Sequence, residues 1–145
     1  MSVYADRNPN LFENMPHGAH QQARSGKKAK DNHPCTEESR AMIVSEMEKC
    51  QYYLNEELTL HAFAEEINMS SRLISSCINK SLGCNFNEWV NNYRVENALR
   101  LIKSDENNLL SIEGIGSDSG FKSRSAMYAA FKKKLGHSPG YYRKA

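Results

Sequence analysis

A chain of 145 residues with 39% hydrophobic and 25% charged side chains and a net charge of +2 has the balance of an ordinary globular protein, in one domain or two very small ones. No apolar run approaches the length of a bilayer crossing, so no membrane contact is expected, and the first 34 residues hold no apolar core of the signal-peptide kind. The four cysteines, Cys35, Cys50, Cys77 and Cys84, make no C-x-x-C pair. Their spacing points to neither a disulfide scaffold nor a zinc site, and a reducing cytoplasm fits.

Residues 1–35 are rich in Asn, His, Gln, Gly, Pro and Lys and lack an apolar period; they read as a disordered or linker tail. An N-terminal helix and its connection should occupy 36–54. Thr36 can cap that helix, and Glu37 and Glu38 stand in its first turn, where carboxylates suit the positive helix end. Met42, Ile43, Met47 and Cys50 recur at helical spacing as its inward face.

A first helix-turn-helix unit is expected over 55–85. Thr59 caps a short helix carrying Leu60, Phe63, Ala64 and Ile67, and Leu58 and Phe63 hold the two positions of a hydrophobic staple. Asn68 suits a left-handed turn. Ser70 then caps a second helix over 71–82, which Gly83 ends. Leu73, Ile74, Cys77 and Ile78 make its inner stripe, with Cys77 and Cys84 read as small core or surface groups. Arg72, Ser75, Ser76 and Asn79 make the outer face. A short helix, a tight turn and a second helix with a polar outer face is the layout of a helix-turn-helix.

A linker helix follows within 86–104, opened by Asn85 and Glu88 at N-cap and N3. It carries two apolar stripes, Phe86, Trp89, Val90 and Tyr93, then Val95, Ala98, Leu99 and Ile102. A helix apolar on different sides at its two ends packs on two bodies. Ser104 and the polar residues after it end it.

The pattern then repeats over 105–145. Leu110 and Ser111 match Leu58 and Thr59, Ile115 matches Phe63, and Gly120 matches Asn68. After one extra residue in the turn, Met127 matches Ile74, Phe131 matches Ile78, Leu135 matches Leu82 and Gly136 matches Gly83. Ser138 matches the cap Asn85, with Pro139 at the well-tolerated N1 position. The fold class that results is all-α: two helix-turn-helix subdomains joined by a long linker helix, about seven helices, with an extra N-terminal helix.

Charge divides along this plan. Residues 36–66 hold eight acids and two bases, whereas 119–145 hold seven bases and no acid. Such asymmetry points to a polyanion at the basic end, although a solvated lysine face gives the same run. A helix fits the major groove of B-DNA, and successive groove faces lie about 34 Å apart. A linker helix of about 18 residues is about 27 Å long. Two reading helices on one monomer can therefore reach adjacent groove segments of double-stranded DNA. The base-reading candidates are Arg72, Ser75, Ser76 and Asn79 in the first unit and Arg124, Ser125 and Tyr128 in the second. Arg72 suits guanine, and Arg124 is the strongest base-reading candidate of the second unit. Asn79 suits adenine or a phosphate, and Tyr128 suits a thymine methyl or a phosphate. Lys80, Arg94, Lys122, Ser123, Lys132 and Lys133 are the phosphate candidates.

The pieces "YRVENALRLI" and "GFKSRSAMYAAFKKKLGHSPGYYR", within residues 55–144, resemble the DNA-binding domain of the AraC/XylS family of bacterial transcription regulators. The resemblance implies seven helices and recognition helices at about 71–82 and 124–135. It also implies cytoplasmic transcriptional control, usually activation through RNA polymerase. Members usually carry a separate sensing or dimerisation domain, so this chain is expected to be the output portion of a longer regulator, possible also in a membrane-anchored form; a self-contained short regulator is the alternative. Gly114 and Gly116 stand where the family usually carries alanine or larger. At roughly 1 kcal/mol per glycine, the helix near 112–118 is expected to be marginal.

The rival classes are an enzyme and a protein-binding helical adaptor. The histidines His17, His20, His33, His61 and His137 are scattered. No Cys/His or Ser/His/Asp set shares a face, and no phosphate-cradling loop is present, so neither catalysis, a metal nor a cofactor is expected. A protein-binding helical adaptor fits the same fold class; steep salt dependence and site preference in duplex binding separate a regulator from it.

Overall fold

The computed structural model describes residues 34–104 and 109–144. The tail over 1–33 and the polar residues 105–108 lie outside them. Seven α-helices occur among the described residues: α1 (Glu37–Cys50), α2 (Leu60–Glu66), α3 (Ser71–Leu82), α4 (Phe86–Lys103), α5 (Ile112–Asp118), α6 (Arg124–Leu135) and α7 (Pro139–Lys144), with a 3-10 turn at Tyr52–Leu54. The N-terminal helix is one of the seven. None of them is long and apolar enough to cross a membrane. The chain forms two compact units, one from residues 34–52 and 58–89, the other from 53–57 and 90–144.

In the first unit α1 is capped by the Thr36 hydroxyl, which accepts from the Ser39 N–H at 3.1 Å. Ile43 and Met47 point inward and are fully buried. Met42, expected beside them, is 48% exposed, because it sits one position off the inward stripe. Phe63 of α2 is the centre of the core. Its ring lies 5.4 Å from Tyr52, 5.7 Å from Phe86 and 6.1 Å from Trp89, separations at which aromatic pairs attract beyond their area burial. Leu73, Ile74, Cys77 and Ile78 of α3 close the core from the other side.

One covalent feature corrects the sequence reading. Cys35, just before α1, is disulfide-bonded to Cys77 on the inner face of α3. Spacing carried no sign of it, since the two lie 42 residues apart and are brought together by the packing of α1 on α3. Cys50 and Cys84 remain thiols, both half-buried.

The second unit is built the same way. Thr59 and Ser111 cap α2 and α5, accepting from Ala62 and Gly114. Ser70 and Ser123 cap α3 and α6, accepting from Leu73 and Ala126. The inter-helix turns share one backbone hydrogen bond, Met69 N–H to the Ala64 carbonyl at 3.0 Å and Phe121 N–H to the Gly116 carbonyl at 2.9 Å. Asn68 and Gly120 both have positive φ, 56° and 92°. Gly83 and Gly136 end α3 and α6 in the left-handed region. The staple is not duplicated: Leu58 is buried, but Leu110 is 36% exposed.

Gly116 has a packing reason rather than the weakness expected of it. It is buried, and a Cβ there would stand 2.7 Å from the Met127 sulfur. The equivalent pair in the first unit is Ala64 and Ile74. The second unit thus trades a methyl on the first helix for a longer side chain on the second. The helix spans Ile112–Asp118, and the propensity lost at Gly116 is set against the burial of Met127.

Helix α4 runs through both units. The Asn85 side chain caps it, accepting from the Glu88 N–H at 2.8 Å. Phe86 and Trp89 belong to the first core, while Val95, Ala98, Leu101 and Ile102 belong to the second. Within the second unit a buried polar link joins α4 to the end of α5: Asn97 Nδ2 donates to Ser119 Oγ at 3.1 Å. Arg100 in turn donates to Asn97 Oδ1 at 2.7 Å, so both ends of the buried amide are satisfied.

Candidate nucleic-acid interface

Buried stripes fix which way α3 and α6 present their remaining side chains. On α3, burial of Leu73, Ile74, Cys77 and Ile78 leaves Arg72, Asn79 and Lys80 exposed, with Ser75 and Ser76 half-buried beside them. Asn79 Nδ2 donates to Ser75 Oγ at 3.4 Å. The face is polar and carries two cations, Arg72 and Lys80.

On α6, burial of Met127 and Phe131 exposes Arg124, Ser125, Ala129, Lys132 and Lys133, with Tyr128 half-buried. Lys122 and Ser123 precede the helix at the same end. Ser123 is its N-cap, so its hydroxyl already accepts one hydrogen bond from the backbone. Arg124 is the most structured side chain on this face. Its Nη1 lies 2.7 Å from Glu113 Oε2 of α5. Its Nη2 donates to the Tyr128 hydroxyl at 3.2 Å, and its guanidinium carbon stands 4.9 Å from the centre of the Tyr128 ring, within cation–π range.

Arg94 is a correction. Expected as a phosphate contact, it is half-buried and committed to the fold. Nε donates to the Tyr53 carbonyl at 2.7 Å, Nη2 to the Asn55 carbonyl at 2.8 Å and Nη1 to Asn91 Oδ1 at 3.1 Å. Burial pushes its pKa down to about 10, with Glu56 acting in the opposite sense. The guanidinium stays charged at neutral pH, but its donors hold the segment 53–57 against α4. Sequence shows the charge of an arginine; it does not show that two carbonyls about forty residues away need donors.

The carboxylates that accompany the cations were also missed. Lys122 Nζ lies 3.0 Å from Glu57 Oε1, and Lys134 Nζ lies 3.4 Å from Glu96 Oε2. The Lys122–Glu57 pair is exposed on both sides, and such pairs are worth about 0–1 kcal/mol. Of the expected histidines, His61 faces Glu65 on α2 and His137 stacks on Tyr141 at 4.0 Å; the three in the tail lie outside the described residues. Among the described residues no group of three or more His, Cys, Asp or Glu is placed to hold a metal ion.

This geometry, a capped short helix, a tight turn and an outward polar helix, present twice, defines the class: a DNA-binding helix-turn-helix protein. Residues 63–145 match the family described as "Helix-turn-helix domain", and the chain belongs to that family, in its AraC-type branch of transcription regulators. Among curated relatives, the uncharacterized HTH-type transcriptional regulator YfiF of Bacillus subtilis is 33% identical over 90 residues. That match takes in 62% of this chain and 27% of YfiF, so this chain spans about a quarter of that relative. Among solved structures, the C-terminal domain of AraT, a response regulator from Geobacillus stearothermophilus, is 30% identical at a TM-score of 0.59, covering 79% of this chain and 88% of that one. The DNA-binding domain of AdpA, a global transcriptional factor solved in complex with a target DNA, is 25% identical at a TM-score of 0.60, covering 72% and 89%.

Proposed function

We propose that this chain is the output part of a longer bacterial transcription regulator, acting as an activator through contact with RNA polymerase and placed in the cytoplasm by its DNA target rather than by its cysteines, since the Cys35–Cys77 bond removes that support. It reads double-stranded DNA with two helices, α3 and α6, placed in adjacent major-groove segments. Sequence is read by Arg72, Ser75, Ser76 and Asn79 from α3 and by Arg124, Ser125 and Tyr128 from α6. Lys80, Lys122, Ser123, Lys132 and Lys133 meet phosphates, which position the protein without specifying sequence. No chemical step and no cofactor enter this reading. The observation that carries it is the matched pair of outward polar helices, each held by the same cap, turn and terminator. The AdpA domain, seen with its target DNA, supports the same use of the fold here, and the short span relative to YfiF supports a longer parent protein.

Selection of bound duplexes from a random pool tests the two-helix reading. Two conserved boxes about 10 base pairs apart are the expected result; a single short box would leave one helix without a role in recognition. Replacing Arg124 with alanine should weaken binding to the selected duplex by about 1–3 kcal/mol and relax base choice at one position. Titration against duplexes varied at that position measures it, and an equal loss on every duplex would make Arg124 a phosphate contact. Lys132→Ala should weaken selected and random duplexes alike and flatten the dependence of log affinity on log salt by about one unit. An unchanged slope removes Lys132 from the interface.

A further inference from the structure

We infer that Glu113 is a specificity-determining positioning residue, which fixes the Arg124 guanidinium for a base edge and withholds it from indiscriminate phosphate contact. The inference rests on the reading of Arg124 as a base-contacting group. Glu113 stands in the first turn of α5, outside the reading helix, and its carboxylate reaches across the turn to Arg124 Nη1 at 2.7 Å. Tyr128, one turn along α6, takes Nη2 at 3.2 Å and places its ring against the guanidinium. The group is therefore held on two edges and one face, by residues from two helices.

This arrangement has two consequences. Two of the five guanidinium N–H groups are occupied, leaving three for a base edge from a side chain whose rotamers are already restricted. Arginine loses much rotamer freedom when it docks, and a side chain ordered beforehand loses less. The second consequence is electrostatic. A phosphate approaching Arg124 meets the Glu113 carboxylate, which repels it, whereas a guanine edge carries no net charge. The pair thus disfavours the sequence-independent contact more than the specific one, as discrimination requires. The first unit has no counterpart: His61 stands at the position equivalent to Glu113 and faces Glu65.

The test is a double-mutant cycle on the full chain, using Glu113→Ala, Arg124→Ala and the double variant, against the selected duplex, duplexes changed at the base Arg124 reads, and a random duplex. Glu113 is half exposed, and thermal melting verifies that the variants fold. Glu113→Ala should strengthen binding to random DNA and lower preference for the preferred base by about five-fold, with preferences at bases read from α3 unchanged. In the Arg124→Ala background, removing Glu113 should leave base preference as it is. Stronger binding to every duplex with base preference intact would overturn the inference, since Glu113 would then only repel DNA. An unchanged profile in every variant would also overturn it. Loss of preference at no position in Arg124→Ala alone would instead overturn the assignment of Arg124, and the inference with it.

Discussion

Reduction of the Cys35–Cys77 bond should remove about 4 kcal/mol from the stability of the first unit. The bond closes a loop with a separation of 42 residues, and the chain entropy that such a loop withholds from the unfolded state is of that size. It ties the residue before α1 to the inner face of α3, where Cys77 is 1% exposed. Without it, α1 is kept on α3 by apolar contacts such as those of Ile43 and Met47. Urea unfolding with and without dithiothreitol measures the difference. Cys35→Ser is the matching variant, because Cys35 is half-exposed and a serine there buries no new hydroxyl, as it would at position 77. The variant should be insensitive to reductant and should unfold with the reduced wild type. Thiol titration of the unreduced protein should count two cysteines, Cys50 and Cys84. Four titratable thiols would show the bond absent, and two thiols with identical midpoints would show that it adds no stability.

The elements that could be read from sequence are those fixed over three or four residues. A hydroxyl at the N-cap bonds the amide three positions on, and this happens at Thr36, Thr59, Ser70, Ser111 and Ser123. Asn68, Gly83, Gly120 and Gly136 take positive φ where turn chemistry placed them. Because both units use these local devices in the same order, the repeat and the two outward faces were legible before any packing was known. The inner stripe of α3 was legible for the same reason, since helical spacing alone selects Leu73, Ile74, Cys77 and Ile78.

What sequence did not disclose depends on partners far along the chain. Arg94 and Lys132 are both cations on helices, yet one is committed to the carbonyls of Tyr53 and Asn55 and the other is exposed. Asn97 owes its burial to Ser119, a partner 22 residues further along the chain. Glu113 belongs to a short glycine-bearing helix outside the reading helix, and its link to Arg124 crosses a turn whose geometry no periodicity encodes. The site's residue types were legible; the carboxylates that order its cations were not.

Gly120→Ala should destabilise the second unit by about 3 kcal/mol, well beyond the effect of the same change at Gly83. Both glycines have positive φ, 92° and 69°, and the left-handed backbone costs an alanine about 1–2 kcal/mol. That term is common to the two sites. At Gly83 nothing lies within 4 Å of an added Cβ, so the change there should cost about 1 kcal/mol. At Gly120 the Cβ would stand 2.2 Å from the Tyr53 carbonyl oxygen and 3.0 Å from the Leu54 backbone. No rotamer change relieves a clash with main-chain atoms, and the Tyr53 carbonyl is itself held by Arg94 Nε at 2.7 Å. The turn must therefore shift, and the clash adds a further cost of about 1–2 kcal/mol. The shift should pass to Ser123 and the start of α6, so Gly120→Ala should also weaken binding to selected DNA at temperatures where the protein remains folded, while Gly83→Ala leaves the Arg124 base preference intact. Urea unfolding of the two variants beside the wild type decides the stability claim. Equal losses at both sites would mean that the left-handed backbone alone sets the cost and that the segment 53–57 yields to a methyl group.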